Sequence, residues 1–364
     1  MSKKVLVLAS NLGLWGEELQ APWDAMKKAG FQLTLATEQG KTPLPMTLSM
    51  DPNFVDPVQQ YQVNPPEVVS RIRQILQTGE WGKSIKIADA KMAEYDAIVV
   101  VGGPGSPLDL AGNAKVHRLL EEAFKADKVI GALCYAVGAF VWARNADNDN
   151  RSIIWGRKLV AHPREWDFTG DLPYTLYEPT PDNPGTNLVT PGFVFPLASI
   201  VEHAVGPNGQ VFSDPTANRK KPQVVYDFPF VTGLSVESSI AFGEKLVEVI
   251  KTAPSPLWRF YKRHLGFFYA KDVDGLVAND YTEDAVLSAP DFTVQGHAAL
   301  KQIFSGYVEM IGDIRLKSTD KFTETANAVQ LEATLQTSRA GERKVYDIFV
   351  MRDGKISQHF TGVK

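Results

Sequence analysis

Cysteine is nearly missing from this sequence: Cys134 is the only one in 364 residues. An intrachain disulfide is excluded, and a reducing compartment is the natural setting. Long apolar runs are missing too. None approaches the roughly 20 residues of a membrane span, and Val5–Ala9 is too short for a signal-peptide core, so a cytoplasmic protein without membrane contact is expected. Neither sign of charge is in excess, since 38 Lys and Arg against 42 Asp and Glu leave a formal net charge of −4. That balance gives no basic footprint for nucleic acid. Histidine is limited to 6 scattered positions, and repeats and low-complexity tracts are absent.

The apolar content, 44%, is that of an ordinary globular chain. Its length exceeds what one core usually serves, so two domains are expected. In residues 1–251 short apolar runs alternate with amphipathic segments. Val5–Ala9, Phe31–Thr37, Ala97–Val101 and Val129–Leu133 read as buried strands, while Glu17–Ala29, Glu67–Thr78 and Ala114–Ala126 have helical period. Strands buried on both faces and separated by helices predict an α/β sandwich on a mostly parallel sheet. Pro22 suggests that the first helix begins later than Glu17, because proline costs least in a first turn. Between 145 and 229 the pattern is looser, with short strands expected at 158–161, 187–189 and 223–226. Residues 252–256, Thr-Ala-Pro-Ser-Pro, read as a linker. The remainder, 257–364, opens with an aromatic-rich helix over Leu257–Ala270. Helices at Asp272–Asn279 and His297–Ile311 follow, then four alternating strands over 314–322, 326–337, 343–351 and 355–363. Arg352-Asp353-Gly354 is a hairpin turn between the last two. Helices followed by an antiparallel sheet make an α+β domain.

The run Val129–Leu133 delivers Cys134 and Tyr135 to a strand-to-helix junction. A thiol there lies beside unpaired backbone N–H groups at the positive end of a helix, which lowers its pKa and can hold a developing anion. In its thiolate form it attacks a carbonyl carbon or a peroxide. Gly102-Gly103-Pro104-Gly105 is not a nucleotide loop, since it has neither the GxGxxG spacing nor a following Gly-Lys-Ser/Thr. No cofactor is expected.

Taken in order, several pieces resemble the ThiJ/PfpI family, a branch of the class I glutamine-amidotransferase-like fold. They are Glu17-Glu18-Leu-Gln-Ala-Pro22, Gly102-Gly103-Pro104-Gly105 with Leu108-Asp109-Leu110, the Cys134 elbow, and Phe230-Val-Thr-Gly-Leu-Ser-Val-Glu-Ser-Ser239. The resemblance implies that Glu18 faces the nucleophile and that Gly103 supplies an oxyanion-hole N–H, with Tyr135 N–H beside it. Glu18 has two opposite possibilities. As a carboxylate it would raise the thiol pKa; as a protonated acid it would donate to the thiolate. Many family members carry histidine directly after the cysteine, where this chain has Tyr135, and Pro104 stands where one subgroup has histidine. His162, before Pro163, is the candidate replacement base, with Glu165 or Asp167 to orient it. Three such residues within six are common in polar loops, so no metal is expected.

The last hundred or so residues resemble the SnoaL-like, ketosteroid-isomerase-like cone fold. Tyr281-Thr-Glu-Asp-Ala-Val286, Val294-Gln-Gly-His-Ala-Ala-Leu-Lys301 and Phe349-Val-Met-Arg-Asp-Gly-Lys-Ile356 carry that likeness. Proton transfer inside a cone needs an acid or a histidine, and Asp347 and His359 are the candidates, with Tyr261 near the mouth. Two functional expectations follow. One is a cysteine-dependent enzyme acting on a small aldehyde, amide or isonitrile-like substrate. The other is a stress or redox-sensing module with a degenerate site, carrying a ligand-binding or dimerising second domain. A homodimer joined partly through 257–364 is expected, because Gln330, Glu332, Thr334 and Gln336 form a polar strand face opposite Val329, Leu331, Ala333 and Leu335.

Overall fold

The apolar runs of the first part become adjacent strands. In the computed structural model, which describes residues 2–56, 60–167, 173–174, 188–189 and 195–364, β1 (Lys4–Leu8), β2 (Gln32–Thr37), β3 (Ile85–Lys86), β4 (Ala97–Val100) and β5 (Val129–Leu133) are parallel. Two later strands, β6 (Val224–Asp227) and β7 (Phe230–Gly233), complete a sheet of order β6-β7-β5-β4-β1-β2-β3, in which only the β6–β7 pair is antiparallel. Every residue of β4 and β5 is buried, which explains why these strands are continuously apolar rather than alternating. Among the flanking helices are α1 (Gly16–Lys28), α2 (Pro66–Thr78) and α3 (Ala114–Lys125). Contacts divide the chain into two compact units, Met1–Ala253 and Pro254–Lys364.

Helix α1 does not wait for Pro22. It starts at Gly16 and runs through the proline, which is buried. The missing N–H leaves the carbonyl of Glu18 without its helical partner, a local cost in the turn that carries Glu17 and Glu18. Only the two ends of the proposed linker are helical: one helix extends over Ser239–Thr252 and the next begins at Pro256 with Ser255 as its cap, leaving Ala253–Ser255 between them. Leu188–Val189 pairs with Pro173–Tyr174; Asn187, included in the expected strand, lies outside the described residues.

In the second unit α4 (Pro256–Ala270), α5 (Val273–Asp280) and α6 (His297–Ile311) cover a six-stranded sheet. Two strands precede α6 rather than follow it: β8 (Tyr281–Ala289) and β9 (Phe292–Gln295). Then come β10 (Ile314–Glu324), β11 (Ala328–Thr337), β12 (Gly341–Arg352) and β13 (Lys355–Val363), and the sheet order is β9-β8-β13-β12-β11-β10. Val329, Leu331, Ala333 and Leu335 point inward as their alternation predicts. On the opposite face Thr334 donates to Asp320 and Glu332 pairs with Lys364, so part of that face is engaged within its own unit. Among the described residues no helix is long and apolar enough to cross a membrane.

Candidate active site

Strand β5 ends in a turn that holds Cys134 at φ +57°. A left-handed backbone costs a non-glycine residue about 1 kcal/mol or more, and the packing here enforces it. Gly102, at the end of neighbouring β4, lies so close that an added Cβ would come within 2.3 Å of Glu18 Oε2, 2.5 Å of Leu133 O and 2.7 Å of Cys134 Cβ. Gly103 has φ +111°, and an added Cβ would meet the Trp15 nitrogen at 2.3 Å. Two glycines in succession thus let the β4 turn close over the elbow and against the entrance to α1.

The sulfur is 3% exposed. It accepts a hydrogen bond from Ser235 Oγ at 3.5 Å, bonds with Glu18, and meets the backbone N–H of Tyr135. Burial, reinforced by the Glu18 carboxylate, pushes the thiol well above its ordinary range, although the Ser235 hydroxyl and the Tyr135 N–H pull the other way. That is opposite to the lowering expected from a strand-to-helix junction. The physical reason is local: Cys134–Val137 is a 3₁₀ turn, and the α-helix beyond it, Gly138–Trp142, has only 5 residues, too few to build a sizeable dipole. Glu18 is also pushed well up, first by burial and then by the acids Glu237 and Glu17, against the bond to Cys134. Sulfur and carboxyl are therefore a pair that resists carrying two negative charges.

His162 and Asp167 come together as the sequence suggested. His162 Nδ1 lies 2.9 Å from Asp167 Oδ1, and the same oxygen accepts from Tyr135 Oη at 2.9 Å. Leu197 N–H holds the other Asp167 oxygen at 3.0 Å. The Tyr135 and His162 rings stack with centroids 4.7 Å apart. Glu165, the other candidate orienter, is exposed. Among the described residues His162 makes no hydrogen bond to the sulfur; it packs on Tyr135, the residue after the elbow, which itself reaches Asp167.

Two further acids were not singled out by sequence. Glu237 is 3% exposed, with Oε1 accepting from Ser235 N–H at 3.2 Å and Ser238 Oγ at 2.6 Å. It is therefore linked to the sulfur through one residue, Ser235. Glu17, at the start of α1, is buried and paired with Arg219, whose Nη1 lies 2.7 Å from Glu17 Oε1. The signal available was the Val-Glu-Ser-Ser stretch of 236–239, which served only as part of a piece carrying the family resemblance.

In the second unit a cavity of about 490 Å³ is lined by Leu265, Phe304, Leu331 and Phe349, and Tyr261, Asp347 and His359 all border it. His359 Nε2 lies 2.8 Å from Asp347 Oδ1, and His359 Nδ1 lies 2.8 Å from Tyr281 Oη. The Asp347 carboxyl sits below its ordinary range because His359 and Thr361 outweigh the opposing effect of burial. His359 is lowered, burial outweighing the attraction of Asp347. A neutral imidazole facing a carboxylate must donate through Nε2, so Nδ1 accepts the Tyr281 proton and the tautomer is fixed. A second couple, His264 Nδ1 to Asp280 Oδ2 at 2.9 Å, stands behind it, and Arg263 also holds Asp280.

Residues 9–155 match the family model described as ThiJ/PfpI family-like, and residues 261–359 match that of a SnoaL-like domain. The chain joins a ThiJ/PfpI-like domain to a SnoaL-like domain. A Bos taurus relative, glutamine amidotransferase-like class 1 domain-containing protein 1, is 28% identical over 222 residues, covering 61% of this chain and 82% of that protein. The Francisella tularensis Rapid Encystment Protein 24 KDa shares the fold at 19% identity and TM-score 0.51, over 68% of this chain and 99% of that one. Glyoxalase III from Candida albicans does so at 17% identity and TM-score 0.51, over 68% and 96%. All of Cys134, Glu18, Gly103 and Tyr135 fall inside the ThiJ/PfpI-like match; His162, Asp167 and Glu237 fall beyond it.

Proposed function

We propose that the ThiJ/PfpI-like domain is a cysteine-dependent enzyme acting on a small electrophile, an aldehyde, an amide or an isonitrile-like carbon. The observation that carries this reading is the elbow itself: a backbone held at φ +57° presents a sulfur that accepts from Ser235 and lies beside Glu18, with Cys134 and Glu18 both packed around Gly102. The family match supports a cysteine-type or redox role in general. In this reading the pair has released one of its two protons to solvent, and the one that remains passes from the thiol to Glu18 as the sulfur attacks. Sulfur bonds to the electrophilic carbon, the carbon–heteroatom π pair moves onto the heteroatom, and the Glu18 proton follows it. The N–H groups of Gly103 and Tyr135 meet the transient anion. Glu18 is the base here because it bonds the sulfur; His162, oriented by Asp167, positions Tyr135 and the substrate side of the elbow.

Turnover of a panel of small aldehydes, amides and isonitriles tests it. Cys134→Ser should abolish activity. Glu18→Gln should lower it by about 10²–10³, while iodoacetamide labelling of Cys134 moves to lower pH because a neighbouring negative charge is gone. A wild type inert to the whole panel that forms a stable sulfinate with stoichiometric peroxide would shift the reading to redox sensing.

One observation favours a separate role for the SnoaL-like domain as a binder of small apolar molecules. Its cavity of about 490 Å³ has apolar walls and one carboxylate, Asp347, held by His359 and Thr361.

A further inference from the structure

Buried polar atoms without partners gather on one side of the elbow. Glu237 Oε2, Glu18 Oε2, Tyr61 Oη and Arg219 Nε are all shielded from solvent and make no hydrogen bond. They belong to one neighbourhood: Arg219 bonds both Glu17, next to Glu18, and the carbonyl of Val63, two residues from Tyr61, while Glu237 is tied to the Cys134 sulfur through Ser235. An unpaired buried polar atom destabilises the fold, and folded proteins seldom leave several together unless something else satisfies them.

The charge of this neighbourhood is one-sided. The guanidinium of Arg219 is taken by Glu17, and the imidazole of His162 by Asp167. Glu18 and Glu237 have no cationic partner among the described residues. Nor does the intervening stretch 168–194 supply one, because its sequence contains neither Lys nor Arg. A carboxylate-bearing substrate entering beside Cys134 would face two acids, with the nearby guanidinium of Arg219 already paired with Glu17. A group that brings N–H donors relieves them in either protonation state, by bonding to a neutral carboxyl or by stabilising an ionised one.

We infer that Glu237, with Glu18 and Tyr61, forms a donor-binding subsite beside Cys134, and that the substrate is a small electrophile carrying an amino or amide group rather than a carboxylate. The inference rests on Cys134 being the nucleophile and narrows what it attacks. Glu237 Oε2 receives the substrate N–H while Oε1 stays bonded to Ser235 and Ser238, so the residue that touches the substrate is anchored to the one that touches the sulfur.

The lone cysteine makes the test direct, because any thiol reagent reports on Cys134 alone. Methanethiosulfonates with a 2-aminoethyl, a 2-sulfonatoethyl or a methyl group supply cationic, anionic and neutral probes of similar size. In each case the thiolate attacks the sulfenyl sulfur, a mixed disulfide forms and methanesulfinate leaves. The cation-to-anion rate ratio at Cys134 should exceed that of 2-mercaptoethanol by about tenfold or more, the scale of one charge in a partly desolvated site. Glu237→Gln, which preserves shape, should remove most of that excess, whereas Tyr61→Phe should slow the cationic probe only about threefold, the low end for one neutral hydrogen bond. A wild-type ratio equal to that of 2-mercaptoethanol overturns the subsite while leaving the nucleophile intact. Failure of all three probes to label the protein removes the nucleophile and the subsite together.

Discussion

Both domains bury carboxylates beside histidines, yet they treat them oppositely. In the ThiJ/PfpI-like domain Glu17, Glu18, Glu237 and Asp109 are all pushed up, Asp109 to about 6, with burial as the leading cause each time. In the SnoaL-like domain the buried Asp347 is held down by His359 and Thr361. The difference lies in what each acid faces. Asp347 faces an imidazole N–H and a hydroxyl, so ionisation is favoured. Glu18 faces a thiol and two other acids, so a proton is retained. Burial alone decides neither outcome; the donors supplied to the carboxylate do.

The widest contrast between the domains should come from glycine. Gly102→Ala places a methyl group within 2.3–2.7 Å of three atoms around the elbow, and should cost more than about 3 kcal/mol, the upper end for overpacking. Gly266→Ala lies in α4 with nothing within 4 Å of its Cβ, and should instead add about 0.5–1 kcal/mol through helix propensity. Hydrogen exchange, read separately on peptides from each domain, distinguishes the two. Equal effects would mean that the elbow has room to relax.

Ion pairs give the next contrast. Arg219 and Glu17 have side chains 25% and 2% exposed, whereas Arg352 and Asp284 are 52% and 59% exposed. Arg219→Ala strands a buried acid and should destabilise its domain by about 3 kcal/mol. Arg352→Ala should leave the protection of its own domain unchanged. Comparable losses in urea titration would show that burial is not what sets the worth of these pairs.

The smallest of the three effects is the one with opposite signs. An acid whose folded pKa is raised binds its proton more tightly when folded, so its contribution is present at low pH and lost as pH rises through the folded value. From Asp109 alone the first domain should lose about 2 kcal/mol between pH 4 and 7. His359 is lowered, so unfolding takes up a proton in acid and the second domain should lose stability as pH falls from 7 toward 5. Exchange protection measured at pH 5 and pH 7, corrected for intrinsic rates, should therefore move in opposite directions in the two domains. Movement in the same direction would break the comparison.

Much of the fold was legible because buried parallel strands are written as continuous apolar runs: β4 and β5 stood out as such, and so did the residues they deliver, Gly102 and Cys134. Glu18 and Gly103 were placed by resemblance. What escaped the sequence were groups brought in from far along the chain. Arg219 pairs with Glu17 across 202 residues, and Ser235 reaches Cys134 across 101; neither spacing carries a local period. The sign of the Cys134 shift was also hidden, since the sequence shows a strand-to-helix junction but neither how completely the thiol is buried nor that Glu18 comes to lie beside it. Strand β8 was missed because the Glu-Asp pair at 283–284 interrupts its apolar alternation, and β9 because it is 4 residues long and mostly exposed.

The separations around the sulfur also set an order in time. A ribosome releases Glu18 first, Cys134 much later, and Ser235 and Glu237 only when nearly the whole domain has been made. Until Phe230–Gly233 can pair with Val129–Leu133, the elbow lacks one flanking strand, and the hydroxyl that will rest on the thiol is still to come. The growing chain therefore carries its only thiol through about a hundred residues of synthesis before the burial that later pushes its pKa up is complete.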